Sequence, residues 1–129
     1  MAKTALLGFH KEDDALQLDL EMAGYEVTTA ESVDEMLEKM SIPKDSAPDA
    51  SPKNPFDLYC MDVNLGSPNS RAYEPASTIY QHVKKDIEAG NVKFLATSGN
   101  LDAVEGAQKV GIPAVDRMKL FDTLLSDQG

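Results

Sequence analysis

Short apolar runs alternate along the chain with segments in which apolar residues recur at helical spacing. The runs are strand-like because they are short and apolar or β-branched, and they cover residues 5–9, 25–29, 57–62, 92–97 and 113–116. The third run is nearly all apolar, which is typical of a central parallel strand covered on both faces. The last run begins with a proline, which favours a position at the edge of a sheet.

The segments between and after these runs have apolar residues recurring three or four positions apart, which predicts amphipathic helices. The predicted inner faces are Leu16, Leu20 and Ala23; Val33, Met36, Leu37 and Met40; Ala76, Ile79, Tyr80, Val83 and Ile87; Leu101, Val104 and Ala107; and Leu120, Phe121, Leu124 and Leu125. Ser32 and Glu35 have the spacing of a capping box at a helix start. Gly24 follows the first helix, where a left-handed cap is expected.

Five β-α units in series predict an α/β fold with a five-stranded parallel sheet and helices on both faces. A chain of 129 residues suits one hydrophobic core, so we predict a single domain over 1–129. One sequence does not give the strand order. In such sheets the functional crevice lies at the carboxyl ends of the strands, so the residues that follow each strand are the candidates for function.

Residues 41–55 break the alternation. The segment holds four prolines and three serines and shows no apolar period. This composition is not expected to pack a core and is typical of a mobile loop. We interpret it as an insertion within one domain, because neither flank is large enough to fold alone.

The charge of the chain excludes two classes of partner. Its 22 acidic and 12 basic residues give a net charge of -10, which repels nucleic-acid backbones and anionic membrane surfaces. The single cysteine, Cys60, cannot form an internal disulfide, and the amino terminus lacks the apolar core of a signal peptide. With no apolar stretch of membrane-spanning length, these features predict a cytoplasmic protein.

Two polar residues end predicted strands and are candidates for chemistry. Asp62 ends the most hydrophobic strand, where a carboxylate needs a cation or hydrogen-bond donors to offset its desolvation. Position alone allows a second interpretation, in which Asp62 only marks the exit of the strand into solvent. Ser98 follows the fourth strand, where a serine most often caps a turn or helix.

Three motifs in order resemble those of response-regulator receiver domains. The run 56–65 resembles the third strand of that family, with Asp62 in the place of the phospho-accepting aspartate. The Gly-Tyr-x-Val motif at 24–27 resembles its second strand, and Ser98-Gly99 resembles the end of its fourth. The resemblance covers nearly the whole chain and implies a flavodoxin-like (βα)5 three-layer sandwich.

The resemblance also implies a role in two-component signalling. Asp62 would accept a phosphoryl group from a sensor histidine kinase or a phosphotransfer protein, and Ser98 would bond a phosphoryl oxygen. Receivers hold Mg²⁺ with oxygen ligands, here Asp62 and the main-chain carbonyl of Asn64. The chain would be a stand-alone phospho-acceptor and not an enzyme. It would signal by contact with a downstream effector protein, since we expect no output domain after Leu125.

The acidic pair that binds the metal in receivers is not at its usual place. That place, directly after the first strand, is filled by Gly8-Phe9 or Phe9-His10. The nearest acids follow a few residues later, and they are Glu12, Asp13 and Asp14. They are either favourable charges in the first turn of a helix, or a shorter loop brings Asp13 or Asp14 into the site. Mg²⁺ binding is therefore expected to be weak or absent.

The lysine that ends the fifth strand of receivers has two possible counterparts. Counting back from Leu124 and Leu125 puts Arg117 at that position, whereas Lys119 fits by residue type, with Leu120 in place of the usual proline. Either cation could reach a phosphate, although the two side chains are not interchangeable.

Three functions other than that of a phospho-accepting receiver are compatible with a fold of this kind. A pseudo-receiver that binds partners without phosphorylation is favoured by the missing acidic pair and stays open. A phosphatase with an aspartate nucleophile needs a second aspartate two residues after the first, and Asn64 at that position argues strongly against this function. A flavin-binding protein of similar fold needs a Ser/Thr/Gly-rich phosphate-binding loop after the first strand. The sequence there is Gly8-Phe9-His10-Lys11, which argues against this function as well.

Overall fold

The computed structural model describes residues 3–9, 14–43, 45–47, 49–66, 72–120 and 122–123, with the backbone alone at Asp14. The elements are β1 (Lys3–Gly8), α1 (Asp14–Met22), β2 (Tyr25–Ala30), α2 (Val33–Lys39), β3 (Leu58–Asp62), α3 (Glu74–Glu88), β4 (Lys93–Ser98), α4 (Leu101–Lys109) and β5 (Ala114–Asp116). A 3-10 turn, Arg117–Lys119, follows β5. The predicted alternation is confirmed, with strand boundaries shifted by one or two residues. No helix in the described ranges is long and apolar enough to cross a membrane.

The five strands form one parallel sheet in the order β2-β1-β3-β4-β5. Every neighbouring pair is parallel, as the β-α units predict, and the apolar strand β3 lies at the centre. The predicted edge position of β5 is confirmed. The chain moves outward in one direction from β1 to β2 and in the other from β3 to β5. The carboxyl ends of β1 and β3 therefore flank the switch point at which such sheets bind their ligands.

Side chains of the strands alternate between two cores, one on each face of the sheet. Tyr59 and Met61 pack into the core under α2, α3 and α4, whereas Leu58 and Cys60 pack into the core under α1. The predicted inner faces are mostly buried, but Ala23 is exposed beyond the end of α1. Leu101 is 58% exposed, contrary to prediction, because α4 turns Ala103, Val104 and Ala107 to the sheet. In the last predicted helix Leu120 is buried. Phe121, Leu124 and Leu125 lie outside the described residues.

Local signals position α1 and α2 as the sequence predicts. Gly24 has a φ of +100°, the left-handed conformation that glycine adopts without strain. Ser32 caps α2, since its hydroxyl accepts a hydrogen bond from the Glu35 backbone N–H at 3.1 Å.

The predicted insertion at 41–55 is tied to the core at several points. Ile42 is 6% exposed and belongs to the core under α2 and α3, so the expectation that this composition packs no core is wrong at that residue. The Asn54 backbone N–H donates to the Met40 carbonyl at 3.0 Å. Nδ1 of His82, a buried residue of α3, lies 2.8 Å from the Ala50 carbonyl oxygen. Mobility of the remaining segment stays a prediction.

Tyr59 fixes the start of β3 from within the core. Its hydroxyl accepts a hydrogen bond from the Phe56 backbone N–H at 2.8 Å, and the two rings meet edge to face at 5.8 Å. Burial raises the pKa of the Tyr59 hydroxyl to about 12, the Phe56 hydrogen bond lowers it somewhat, and the charges of Asp86 and Asp57 raise it further. The neutral phenol is therefore the form that the fold requires.

We expect the fold to lose stability as the pH rises from 10 toward 12. The unfolded tyrosine ionises near its ordinary pKa of 10, whereas folded Tyr59 stays neutral up to about 12. Rising pH therefore favours the unfolded state, by up to about 2 kcal/mol at the top of this window. Urea unfolding at stepped pH values measures the loss, and Tyr59→Phe should remove this part of the alkaline slope. Tyr73→Phe is the matched control and should keep it. An unchanged slope in Tyr59→Phe would contradict the assignment.

Candidate functional site

Polar and charged side chains meet at the carboxyl ends of the strands. Asp62 is the last residue of β3 and pairs in register with Thr97 of β4. Ser98 is the last residue of β4 and pairs in register with Asp116 of β5. Arg117 follows directly after β5. The sheet thus brings the residues predicted at three separate places in the sequence together at the carboxyl ends of the strands.

The carboxylate of Asp62 is bound by Arg117. Nη2 of the guanidinium donates to Oδ1 of Asp62 at 2.5 Å, and the exposed fraction is 13% for the Asp62 side chain and 41% for that of Arg117. An ionised donor and acceptor form a stronger hydrogen bond than neutral groups do. Arg117 therefore supplies the cation that a mostly buried carboxylate requires.

The turn after β5 decides which of the two candidate cations reaches Asp62. Oδ1 of Asp116 accepts a hydrogen bond from the Met118 backbone N–H at 3.1 Å and starts the 3-10 turn. The turn directs Arg117 back over the end of the sheet, whereas Lys119 is exposed. The structure therefore pairs Arg117 with the candidate acceptor and leaves Lys119 at the surface.

Phe9 holds the guanidinium from the other side. The Cζ atom of Arg117 lies 4.9 Å from the centre of the Phe9 ring, a cation–π distance, and Phe9 is 4% exposed. Sequence reasoning examined this position only for a missing acid and did not assign the aromatic ring a role. The available signal was an aromatic residue directly after β1, where the resemblance calls for a carboxylate.

Ser98 has a structural contact at the same edge. Its hydroxyl accepts a hydrogen bond from the Asn100 backbone N–H at 3.0 Å, and Oδ1 of Asn100 caps α4 by accepting from the Asp102 backbone N–H at 2.9 Å. Ser98 thus connects the end of β4 to the first turn of α4. This is the turn-capping use that the sequence alone predicts.

Thr97 is a polar residue of the site that sequence reasoning missed. It is 0% exposed, and its hydroxyl has no hydrogen-bond partner among the described residues. Because Thr97 and Asp62 pair in register on adjacent parallel strands, their side chains emerge on the same face of the sheet. The available signal was that Thr97 is a polar residue directly after the apolar run 94–96.

The described donor set does not fit a Mg²⁺ centre. Within the ranges that the structure describes, no three acidic, histidine or cysteine side chains lie close enough to hold a metal ion. The candidates reduce to Asp62, whose carboxylate binds a guanidinium, and to Asn64, in the turn after β3. Asp13 and the side chain of Asp14 lie outside the described residues, so their predicted contribution stays a prediction.

One solved structure that the chain resembles is described as a receiver domain. The chain superposes on a response regulator receiver domain protein from Clostridium thermocellum with a TM-score of 0.53 and 20% identity, over 91% of this chain and 82% of that one. The chain has the fold of response-regulator receiver domains. The predicted (βα)5 sandwich is thereby confirmed, with the strand order that the sequence could not give.

A second similar structure is that of NtrX from Brucella abortus, solved in complex with ADP. It matches with a TM-score of 0.59 and 18% identity over 99% of this chain, which spans only 28% of the NtrX chain. No protein-family model matches the sequence, and no curated protein matches it significantly. The likeness to receivers is therefore one of fold, and the residues at the carboxyl edge have to carry the argument for function.

Proposed function

We propose that this receiver-fold chain acts in two-component signalling and that Asp62 accepts a phosphoryl group from a sensor histidine kinase or a phosphotransfer protein. The observation that supports this most is the Asp62–Arg117 pair at the carboxyl end of the central strand. A carboxylate oxygen of Asp62 would attack phosphorus as the phosphorus–nitrogen bond of a phosphohistidine breaks. The Arg117 guanidinium stands where it can neutralise charge on the phosphoryl oxygens.

Ser98 can serve the phosphorylated state without giving up its present contact. A hydroxyl has one donor and two acceptor lone pairs, and the contact with the Asn100 N–H uses only an acceptor. The Ser98 proton is therefore free to be donated to a phosphoryl oxygen on Asp62. In this proposal the modification acts on the turn before α4 and is recognised there by a downstream effector protein.

The proposal describes a signalling phospho-acceptor and not an enzyme with its own substrate. A kinase-fed receiver works in the cytoplasm, where phosphohistidine donors are made. The net charge of -10 argues against nucleic acid or an anionic membrane as the direct partner. Mg²⁺ is expected to bind weakly or not at all, because the described oxygen donors are few and Arg117 already neutralises Asp62.

Intact-mass measurement after incubation with acetyl phosphate tests the proposal. Wild type should gain one phosphate, and Asp62→Asn should gain none because the amide cannot act as the nucleophile. Asp116→Asn is the matched control: it removes a carboxylate from the same edge but keeps an oxygen that can cap the turn, so it should label like wild type. Labelling of Asp62→Asn to the wild-type extent would sink the assignment.

The same reaction with and without Mg²⁺ tests the expectation about the metal. We expect labelling to depend little on Mg²⁺ at millimolar concentration, since the described donors do not form a metal site. If labelling instead required Mg²⁺, and if Asp13→Asn or Asp14→Asn abolished that Mg²⁺-dependent labelling, the acidic pair would be shown to complete the site.

A second candidate function is a partner-binding module that works without phosphorylation. It is favoured by the same ion pair, because Arg117 ties the short edge strand β5 to the sheet centre and gives Asp62 a structural use. Wild type that stays unlabelled by acetyl phosphate, with and without Mg²⁺, would favour this function over the first.

A further inference from the structure

A groove lies near the edge strand β2, at the opposite edge of the sheet from β5. Its volume is about 530 Å³, and it is formed by α2 and by the first residues of the insertion. It does not include Asp62, Arg117 or Ser98. A ligand in the groove would therefore not need to contact the phospho-acceptor.

The floor of the groove is apolar and is held in shape by the end of α2. This floor is the set of apolar lining residues, namely the buried Ile42, the partly buried Leu37 and the exposed Pro43. Ser41 has a φ of +58° and turns the chain back, so that the Ile42 backbone N–H donates to the Leu37 carbonyl at 2.9 Å. Pro43 then restricts the backbone further. A floor fixed in this way needs little ordering when a ligand binds, which favours binding.

The rim of the groove is acidic. Asp34, Glu35 and Glu38 all line it from α2, and among the described residues none of those that line it is basic. Asp34 and Glu38 are exposed, so their charges face solvent at the mouth. An apolar floor beneath three carboxylates matches a ligand that carries both apolar and cationic groups.

We propose that this groove docks a basic segment of a partner protein, with an apolar side chain on the floor and flanking lysines or arginines against the rim. Charge complementarity selects this occupant. A second copy of the chain would bring a further net charge of -10 to an acidic surface. The proposal goes beyond phosphoryl transfer and does not depend on it, because no residue of the groove belongs to the Asp62 site.

The test uses a fluorescein-labelled peptide of leucines interspersed with lysines as the probe, measured by anisotropy at low ionic strength. Asp34→Asn/Glu38→Gln should weaken binding about fivefold or more, because two rim charges are lost. Glu21→Gln/Glu88→Gln makes the same change in net charge on α1 and α3 and should weaken binding less than about twofold. All four substitutions are at exposed positions. Circular dichroism verifies that both variants fold.

Two control peptides and an NMR titration locate the binding. Replacing leucine by serine in the probe should abolish binding through loss of the apolar contact, and replacing lysine by glutamate should abolish it through repulsion. Amide shifts in wild type should concentrate at 33–43. Equal weakening by both double variants, full binding of the serine peptide, shifts centred elsewhere, or a dimer in sedimentation that the rim variant dissociates would each overturn the proposal.

Discussion

Arg117→Ala should destabilise the fold by about 3 kcal/mol, because it leaves a mostly buried carboxylate without its cation. The guanidinium is partly exposed, at 41%, whereas the Asp62 side chain is exposed by only 13%. The loss therefore comes mainly from the desolvated carboxylate that remains. Removal of the guanidinium also deletes its contact with the Phe9 ring, which adds to the loss. Urea unfolding monitored by circular dichroism measures the change.

A double-mutant cycle separates the ion pair from the rest of the side chain. In an Asp62→Asn background no buried charge needs a partner, so Arg117→Ala should cost only about 1 kcal/mol there. The difference between the two backgrounds is the coupling between the side chains. Equal losses in both backgrounds would mean that the pair contributes nothing and that Arg117 acts only through Phe9 and the turn. Lys119→Ala is the matched control and should be nearly neutral, since Lys119 is exposed.

Ile42→Ala should cost about 3 kcal/mol, as expected when a buried aliphatic side chain is truncated and a cavity is left. Ile42 is 6% exposed and belongs to the core that contains Met36 and Met40. Leu101→Ala removes a similar volume from a side chain that is 58% exposed and should cost less than about 0.5 kcal/mol. Chemical denaturation of the two variants beside wild type gives both values.

The burial of Ile42 also changes the stability expected when the insertion is deleted. Composition alone predicts that a Gly-Ser linker in place of 41–55 leaves stability within about 1 kcal/mol, because loop closure depends weakly on length. Loss of Ile42 makes that replacement as costly as Ile42→Ala, unless the linker keeps this residue. A linker variant without Ile42 that is as stable as wild type would show that the buried contact contributes little.

The elements that sequence predicted well are those set by local chemistry. Apolar period decided the helices and strands, Gly24 and Ser32 marked boundaries, and the proline before β5 correctly placed that strand at the edge. Strand order was not accessible, because it depends on contacts between segments far apart in the chain. The burial of Ile42 was missed because a single apolar residue among prolines forms no repeating pattern. The exposure of Leu101 was missed because the spacing of apolar residues does not determine how a helix is rotated against a sheet.

The candidate site was predicted residue by residue but not as an assembly. Asp62, Ser98 and Arg117 follow from strand ends and the receiver resemblance. The choice of Arg117 over Lys119 depends on a 3-10 turn of three residues, whose backbone no period predicts. The place of Phe9 against the guanidinium depends on the long Arg117 side chain, which reaches from the end of β5 past β4 to the carboxyl ends of β3 and β1. The predicted roles of Asp13 and Asp14 remain predictions.

The brevity of β5 has a consequence for how this domain fluctuates. A strand of three residues at a sheet edge is hydrogen-bonded to a neighbouring strand on one side only, so we expect its amides to open easily. Arg117 fastens the end of that strand to a carboxylate two strands away. Any chemical change at Asp62 that redirects the guanidinium therefore alters the opening rate of the edge. Amide hydrogen exchange at 114–116 becomes a kinetic report of an event at the centre of the sheet.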